Sequence, residues 1–246
     1  MTKLKGVILA GGTGSRLFPL TKVTNKHLLP VGRRAMIMHP IEKMKAAGIQ
    51  EILIVTGTEH MGAIVSLLGS GSDFGVEFTY RVQDKAGGIA QALALAETFA
   101  GSDSLCVILG DNVFEDEIAE DARAFMAQAK GARVMLKQVH DPQRFGVARL
   151  DGDRVVEVIE KPQDPPSDWA VTGIYFFDAR VFDIIRTLQP SARGEYEITD
   201  VNNDYIQRGE MSFGRFEGWW TDAGTFPSYH LANRLVMEAE GEEGAR

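Results

Sequence analysis

Short apolar runs alternate with helix-period segments through the first half of this chain, and that alternation restricts the fold more than any other feature. Residues 7–10 (VILA), 52–55 (ILIV) and 105–109 (LCVIL) read as buried strands, and 76–82 as a fourth. Between them Ile37, Ile41 and Met44 fall on one helical face before Gly48, and 61–68 and 89–99 read as helices. Pro40 must sit near the first turn of its helix or kink it. Strands interleaved with helices in this way imply an α/β fold with a mostly parallel sheet and helices on both faces.

The second half is richer in strands: 133–139, 146–150, 155–159, 170–177 and 211–217, with a tight turn at Asp151-Gly152-Asp153. Helices are expected over 180–188, 198–208 and 226–239, and the charged tail, 240–246, is expected to fray. No repeat or Pro/Ser-rich linker divides the chain. Residues 1–246 therefore read as one unit, with an N-terminal half to about residue 130 and a β-rich half over about 131–240. That second half is expected to sit over the carboxyl ends of the strands, where ligands gather on open α/β sheets.

The first strand runs into LAGGTGSRL, residues 9–17. Gly11, Gly12 and Gly14 let backbone approach a ligand, and successive N–H groups in such a turn form a concave anion site. Arg16 adds a planar cationic fork suited to phosphate. A Walker loop would need Lys after its second glycine, and Gly14 is followed by Ser15-Arg16. A dinucleotide fingerprint needs a third small residue where Leu17 stands. The loop fits a nucleoside triphosphate, and by itself also fits a glycine-rich turn with no ligand.

The 34 Asp and Glu exceed the 26 Lys and Arg, a net charge of −8 that argues against nucleic-acid binding through a general basic surface. The single cysteine, Cys106, lies in an apolar run and reads as core. The apolar stretch before the first glycines is too short for a signal peptide, and no run reaches transmembrane length, so a cytoplasmic protein is expected. The five histidines show no metal-binding spacing, and Trp219-Trp220 reads as packing.

The loop does not stand alone. It continues to Lys26 and the sequence LLPV at 28–31, and is followed in order by VQDKAGGIAQA (82–92), LGDN (109–112), RFGV (144–147), EKP (160–162), VTGIYFFD (171–178), PSARGEYEITD (190–200) and WTDAGT (220–225). This series resembles the sugar-1-phosphate nucleotidyltransferase family over nearly the whole chain, and within it the short branch that uses dTTP. The resemblance implies a Rossmann-like, GT-A-like α/β domain with a sugar-binding lobe. It implies attack of glucose 1-phosphate on the α-phosphorus of dTTP, giving dTDP-glucose and pyrophosphate with Mg²⁺ as cofactor, in a homo-oligomer.

Motif by motif, the resemblance assigns Leu9, Gly11, Gly12, Thr13, Gly14, Gln83 and Gly88 to the nucleotide, and Arg16, Lys26 and Lys161 to the phosphates. It assigns Asn112, Gly146, Glu160, Lys161, Val171, Gly173, Tyr175 and Arg193 to the sugar phosphate, and Asp111 and Asp222 to the metal. Pro162 is expected to keep Lys161 extended, and Glu197 and Asp200 to cap the helix at Ile198. The residues alone also fit plainer roles: Lys26 a solvated lysine, Asp111 and Asp222 turn caps, Glu160-Lys161 a strand-end charge pair, Val171 core. The attacking phosphate is already anionic, so the absence of an evident catalytic His or Cys is expected, and catalysis should be positioning and charge stabilisation.

Two departures bear on specificity. Phe145 stands where many relatives have Tyr, and Phe226 where some have His. Longer relatives carry a further C-terminal helical segment with a secondary nucleotide site, an arrangement expected here to be lacking or built differently. UTP or another triphosphate is the alternative substrate, since an apolar pocket weighs one methyl group by only about ten- to two-hundredfold. A non-catalytic nucleotide-sugar sensor is the alternative of another class.

Overall fold

The computed structural model describes residues 2–128 and 130–243. In chain order the elements are β1 (Leu4–Ala10), β2 (Pro30–Val31), β3 (Arg34–Ala35), α1 (Met38–Ala46), β4 (Glu51–Gly57), α2 (Met61–Leu68), β5 (Glu77–Gln83), α3 (Ile89–Ala94), α4 (Glu97–Ala100), β6 (Ser104–Leu109) and β7 (Asn112–Phe114). There follow α5 (Ala119–Ala127), β8 (Ala132–Gln138), β9 (Gly146–Asp151), β10 (Arg154–Glu160), β11 (Trp169–Phe177), α6 (Val181–Thr187), α7 (Ile198–Gln207), β12 (Met211–Arg215), β13 (Trp220–Asp222) and α8 (Phe226–Glu243).

A nine-stranded mixed sheet runs β10-β9-β11-β6-β1-β4-β5, with β8 on β11 and β12 on β8. β6, β1, β4 and β5 are parallel, as the first-half alternation predicts. β11 enters antiparallel to β6, so the β-rich second half is continuous with the same sheet. β11 pairs with β9 through Ala170 and Val171 and with β6 through 174–177, which joins the two halves along one strand.

The central strands are buried on both faces, and their side chains alternate between two cores. Val7, Leu9, Leu53, Val55, Leu105 and Val107 face α3, α4, α6 and α7. Ile8, Ala10, Ile52, Ile54, Cys106 and Ile108 face α1, α2 and α5. A smaller core seats α8 on β2 through Val31, Val113, Ala232 and Val236.

Pro40 is the third residue of α1, within the first turn, where its missing N–H costs no intrahelical bond. The helix expected over 89–99 is two short helices. The Leu95 and Ala96 N–H groups reach back three residues, to Ala92 and Leu93, and this tightening breaks the α-helical ladder. The tail expected to fray from residue 240 is helical to Glu243, and Arg34 holds Glu240 at 3.0 Å; residues 244–246 lie outside the described residues. Sequence reading missed α5 and the short strands β2, β3, β7 and β13.

Candidate active site

β1 and β6 run side by side with Leu9 opposite Leu109, so the loops that follow them leave the sheet at one edge. The Gly110 N–H donates to the Leu9 carbonyl at 3.0 Å and fixes the turn that carries Asp111. Asp222 arrives from far along the chain. β13 pairs antiparallel with β7, which sets Asp222 opposite Asn112, and the Ala223 N–H donates to the Asp111 carbonyl at 2.7 Å. This two-strand ladder brings the two aspartates together.

Cations and amides hold both carboxylates. Lys26 Nζ lies 2.5 Å from Asp111 Oδ2, and Asn112 Nδ2 donates to Asp111 Oδ1 at 3.2 Å. Asn112 is itself fixed, since its Oδ1 accepts from Trp220 Nε1 at 2.7 Å and from the Gly173 N–H at 3.1 Å. Arg144 reaches Asp222 Oδ1 at 3.0 Å and Asp141 at 2.8 Å, with its guanidinium over the Phe145 ring. Burial alone would raise the Asp111 carboxyl, but the Lys26 ammonium beside it holds it well below the usual carboxylate range. Asp222 is shifted the other way: burial and the Asp111 charge raise it, against Arg144 and Arg16. His27 packs beneath this turn with Nδ1 2.7 Å from Asn25 Oδ1, and burial pushes its imidazole down to about 3.

The donor set suits a hard divalent cation. A Cβ placed on Gly224 would lie 3.2 Å from Asp222 Oδ2 and 3.3 Å from Asp111 Oδ2, so both carboxylates lie close about this glycine, where a side chain would crowd them. Among the described residues no group of three or more His, Cys, Asp or Glu could hold a metal. Two carboxylates are what Mg²⁺ commonly takes from a protein, its other ligands being water and substrate phosphate. Arg16 stands at the same point, its Nη2 3.0 Å from that Cβ position.

Two cavities meet at these residues. One, of about 300 Å³, is lined by Leu9, Gly11, Gly12, Lys26, Gln83 and Gly88. The other, of about 400 Å³, is lined by Asn112, Gly146, Glu160, Lys161, Val171, Gly173 and Tyr175. Arg16, Ile89, Leu109 and Asp111 belong to both, and Asp222 to the second. Thr13 faces a smaller cleft of about 180 Å³ that shares Gly12 and Gln83 with the first cavity. Gly14 lines none of these; with φ +63° it turns the loop, and its carbonyl accepts from Thr21 Oγ1 at 2.8 Å.

Gly88 has φ +102°, and a Cβ there would meet the Tyr196 carbonyl at 2.5 Å. The Tyr196 N–H donates to the Gly87 carbonyl at 2.8 Å, so this glycine lets two loops meet as well as opening the cavity.

Arg193 stands outside the lining of the sugar-side cavity; Glu160 at 3.1 Å, Glu195 at 3.5 Å and Glu197 at 2.8 Å engage its guanidinium, so it supports the site by positioning Glu160. Two expectations need correction. Glu197 occupies the N-cap position of α7 without capping it, because Arg193 and Ser191 engage its carboxylate. Lys161 is not extended before Pro162. Its φ is +44°, and its N–H is tied to the Phe145 carbonyl at 2.9 Å as the chain turns out of β10.

Sequence reading gave no role to Arg144, Thr199 or Asn202 and only a packing role to Trp220, yet all four line the larger cavity. Arg144, Thr199 and Trp220 lie inside motifs that carried the resemblance, and their placement there was the available signal.

Comparisons with known proteins bear on the family and the fold. A sequence model described as nucleotidyl transferase matches residues 5–239. The glucose-1-phosphate thymidylyltransferase of Neisseria meningitidis is 44% identical over 242 residues, covering 96% of this chain and 84% of that protein. A Bacillus anthracis crystal structure with sucrose bound, carrying the provisional designation glucose-1-phosphate thymidylyltransferase, is 58% identical, with TM-score 0.92 over 95% of each chain. A UDP-glucose pyrophosphorylase solved with UDP-glucose shares the fold, with TM-score 0.86 at 24% identity over 97% of this chain and 100% of that one. Matched from its first strand into its last helix, the chain belongs to the nucleotidyl transferase family.

Proposed function

We propose that the chain joins glucose 1-phosphate to the thymidylyl group of dTTP, releasing pyrophosphate and forming dTDP-glucose. The observation that carries this is the meeting of two adjoining cavities at Asp111 and Arg16. Relatives named glucose-1-phosphate thymidylyltransferase at 36–44% identity supply the substrate pair. The likeness to UDP-glucose pyrophosphorylase, at 24% identity, bears on the fold alone.

In this reading the smaller of the two cavities takes the nucleotide. Gln83, held by Gln91 at 2.9 Å, offers an amide edge to the pyrimidine. The glycine loop with Arg16 and Lys26 faces the triphosphate and the departing pyrophosphate. The larger cavity takes the sugar phosphate. Lys161 meets its phosphate, and Glu160, fixed by Thr199 at 2.7 Å and by Arg193, accepts from a sugar hydroxyl. Asp111 and Asp222 would hold a divalent cation, in keeping with the family's general use of one, and we assign Mg²⁺. When bound, it supplies positive charge where two phosphate-bearing reactants approach.

No side chain need remove a proton from the attacking phosphate. The chain's task is to align the two substrates in line and to offset their charge. A soluble cytoplasmic homo-oligomer completes the reading; among the described residues no helix is long and apolar enough to cross a membrane, and sedimentation velocity tests the assembly.

The decisive experiment is pyrophosphate release with dTTP, UTP, CTP, ATP and GTP crossed against several sugar 1-phosphates. Turnover is expected to be fastest with dTTP and glucose 1-phosphate. No turnover with any pair in the presence of Mg²⁺ refutes a catalytic role.

A further inference from the structure

α7 lines the larger cavity with Ile198, Thr199 and Asn202. Thr199 Oγ1 donates to Glu160 Oε2 at 2.7 Å. The next amide along, Asn203, lies outside the cavity lining and clasps β10, accepting from the Val158 N–H at 2.9 Å and donating to the Val158 carbonyl at 2.8 Å. Asn202 differs from both. It is 0% exposed, and neither Nδ2 nor Oδ1 has a partner.

Its setting makes this unusual. Ile198, one turn earlier, and Val201 and Tyr205 on the same helix pack into the core beneath the sheet, so an apolar residue would satisfy packing at position 202. A buried amide with two unpaired ends is unfavourable, and such groups ordinarily find a partner. The space that Asn202 borders is the cavity.

We propose that Asn202 is a specificity-determining residue whose amide reads one hydroxyl of the hexose in the sugar 1-phosphate. The inference rests on the functional reading above and extends it to a single contact. A hydroxyl both donates and accepts, which matches an amide carrying a carbonyl acceptor and two N–H donors. A hydrogen in place of that hydroxyl would leave the amide unpaired in a dry wall, the situation in which enzymes discriminate most strongly.

The test measures pyrophosphate release by the full chain with dTTP and glucose 1-phosphate, and with its 2-, 3-, 4- and 6-deoxy analogues. The unaltered enzyme is expected to lose about a hundredfold or more in kcat/KM with one analogue beyond the loss seen with the others. In Asn202→Ala that gap is expected to close, with the KM for dTTP unchanged. Asn202→Asp keeps the shape without the donor and carries the same test should the alanine variant not fold; its gap is expected to shrink. A folded variant that keeps the full gap overturns the proposal and assigns the amide to a trapped water. A uniform loss across all five sugars overturns it too, since that is a packing effect, and so does an unaltered enzyme with no gap at any position. An unaltered enzyme inactive with glucose 1-phosphate overturns the functional reading instead.

Discussion

A φ of +44° at Lys161 is costly for a side chain with a Cβ, and it falls on the residue assigned to the sugar phosphate. Strain of this kind persists where surrounding contacts enforce it, here the Lys161 N–H on Phe145 and the fixed Glu160 just before. Lys161→Gly should therefore be more stable than Lys161→Ala by about 1 kcal/mol in urea unfolding. Both should raise the KM for glucose 1-phosphate by on the order of ten- to a hundredfold, with little change for dTTP. Asp111→Asn and Asp222→Asn should each lower kcat/KM by about a hundredfold or more. Asp222→Asn should leave the melting temperature nearly unchanged, because burial already disfavours its charge. Near-normal rates in both variants would remove the carboxylates from the reaction.

At the scale of elements, the β7–β13 ladder is the least legible part of the fold and the one that assembles the site. Each strand has three residues, too few for a period to register, and the sequence between them gives no sign that they pair. The longer strands β1, β4 and β6 announce themselves as continuous apolar runs because both their faces are buried. The glycine loop was legible because its glycines and arginine lie together in one short stretch after β1. The hold of Arg193 on Glu160 was not legible, because residues 33 positions apart meet only through tertiary contact. Within the ladder Trp220 of β13 donates its indole N–H to Asn112 Oδ1 of β7. Trp220→Phe should cost about 1 kcal/mol in stability and raise the KM for the sugar phosphate more than for dTTP, measured by denaturant melts and initial rates.

Over the whole molecule, a polar clamp gathers the end of the sheet where β8 and β12 begin. Asp178 accepts from the Gly131 N–H at 2.6 Å and from Tyr205 Oη at 2.8 Å, and Arg180 bridges it to Glu210. Glu210 also pairs with Lys130 at 2.7 Å, and these two cations hold its carboxyl down at about 2 from an ordinary 4.5. A depressed carboxyl stabilises the fold fully above 4.5, and the contribution is lost as pH falls towards 2. Melting temperature should accordingly fall through that window, and Glu210→Gln should be less stable at neutral pH with a shallower acid decline. Equal acid slopes for the two proteins would place the sensitivity elsewhere.

The pairing of Asn112 with Asp222 also sets a timetable for synthesis. Once β6 has left the ribosome, the strands that frame the glycine loop are already available to one another. The second aspartate is translated more than a hundred residues after the first. A nascent chain thus holds the strands that frame the glycine loop long before it can acquire a complete pair of carboxylates, and stalled or prematurely ended products are expected to be inert.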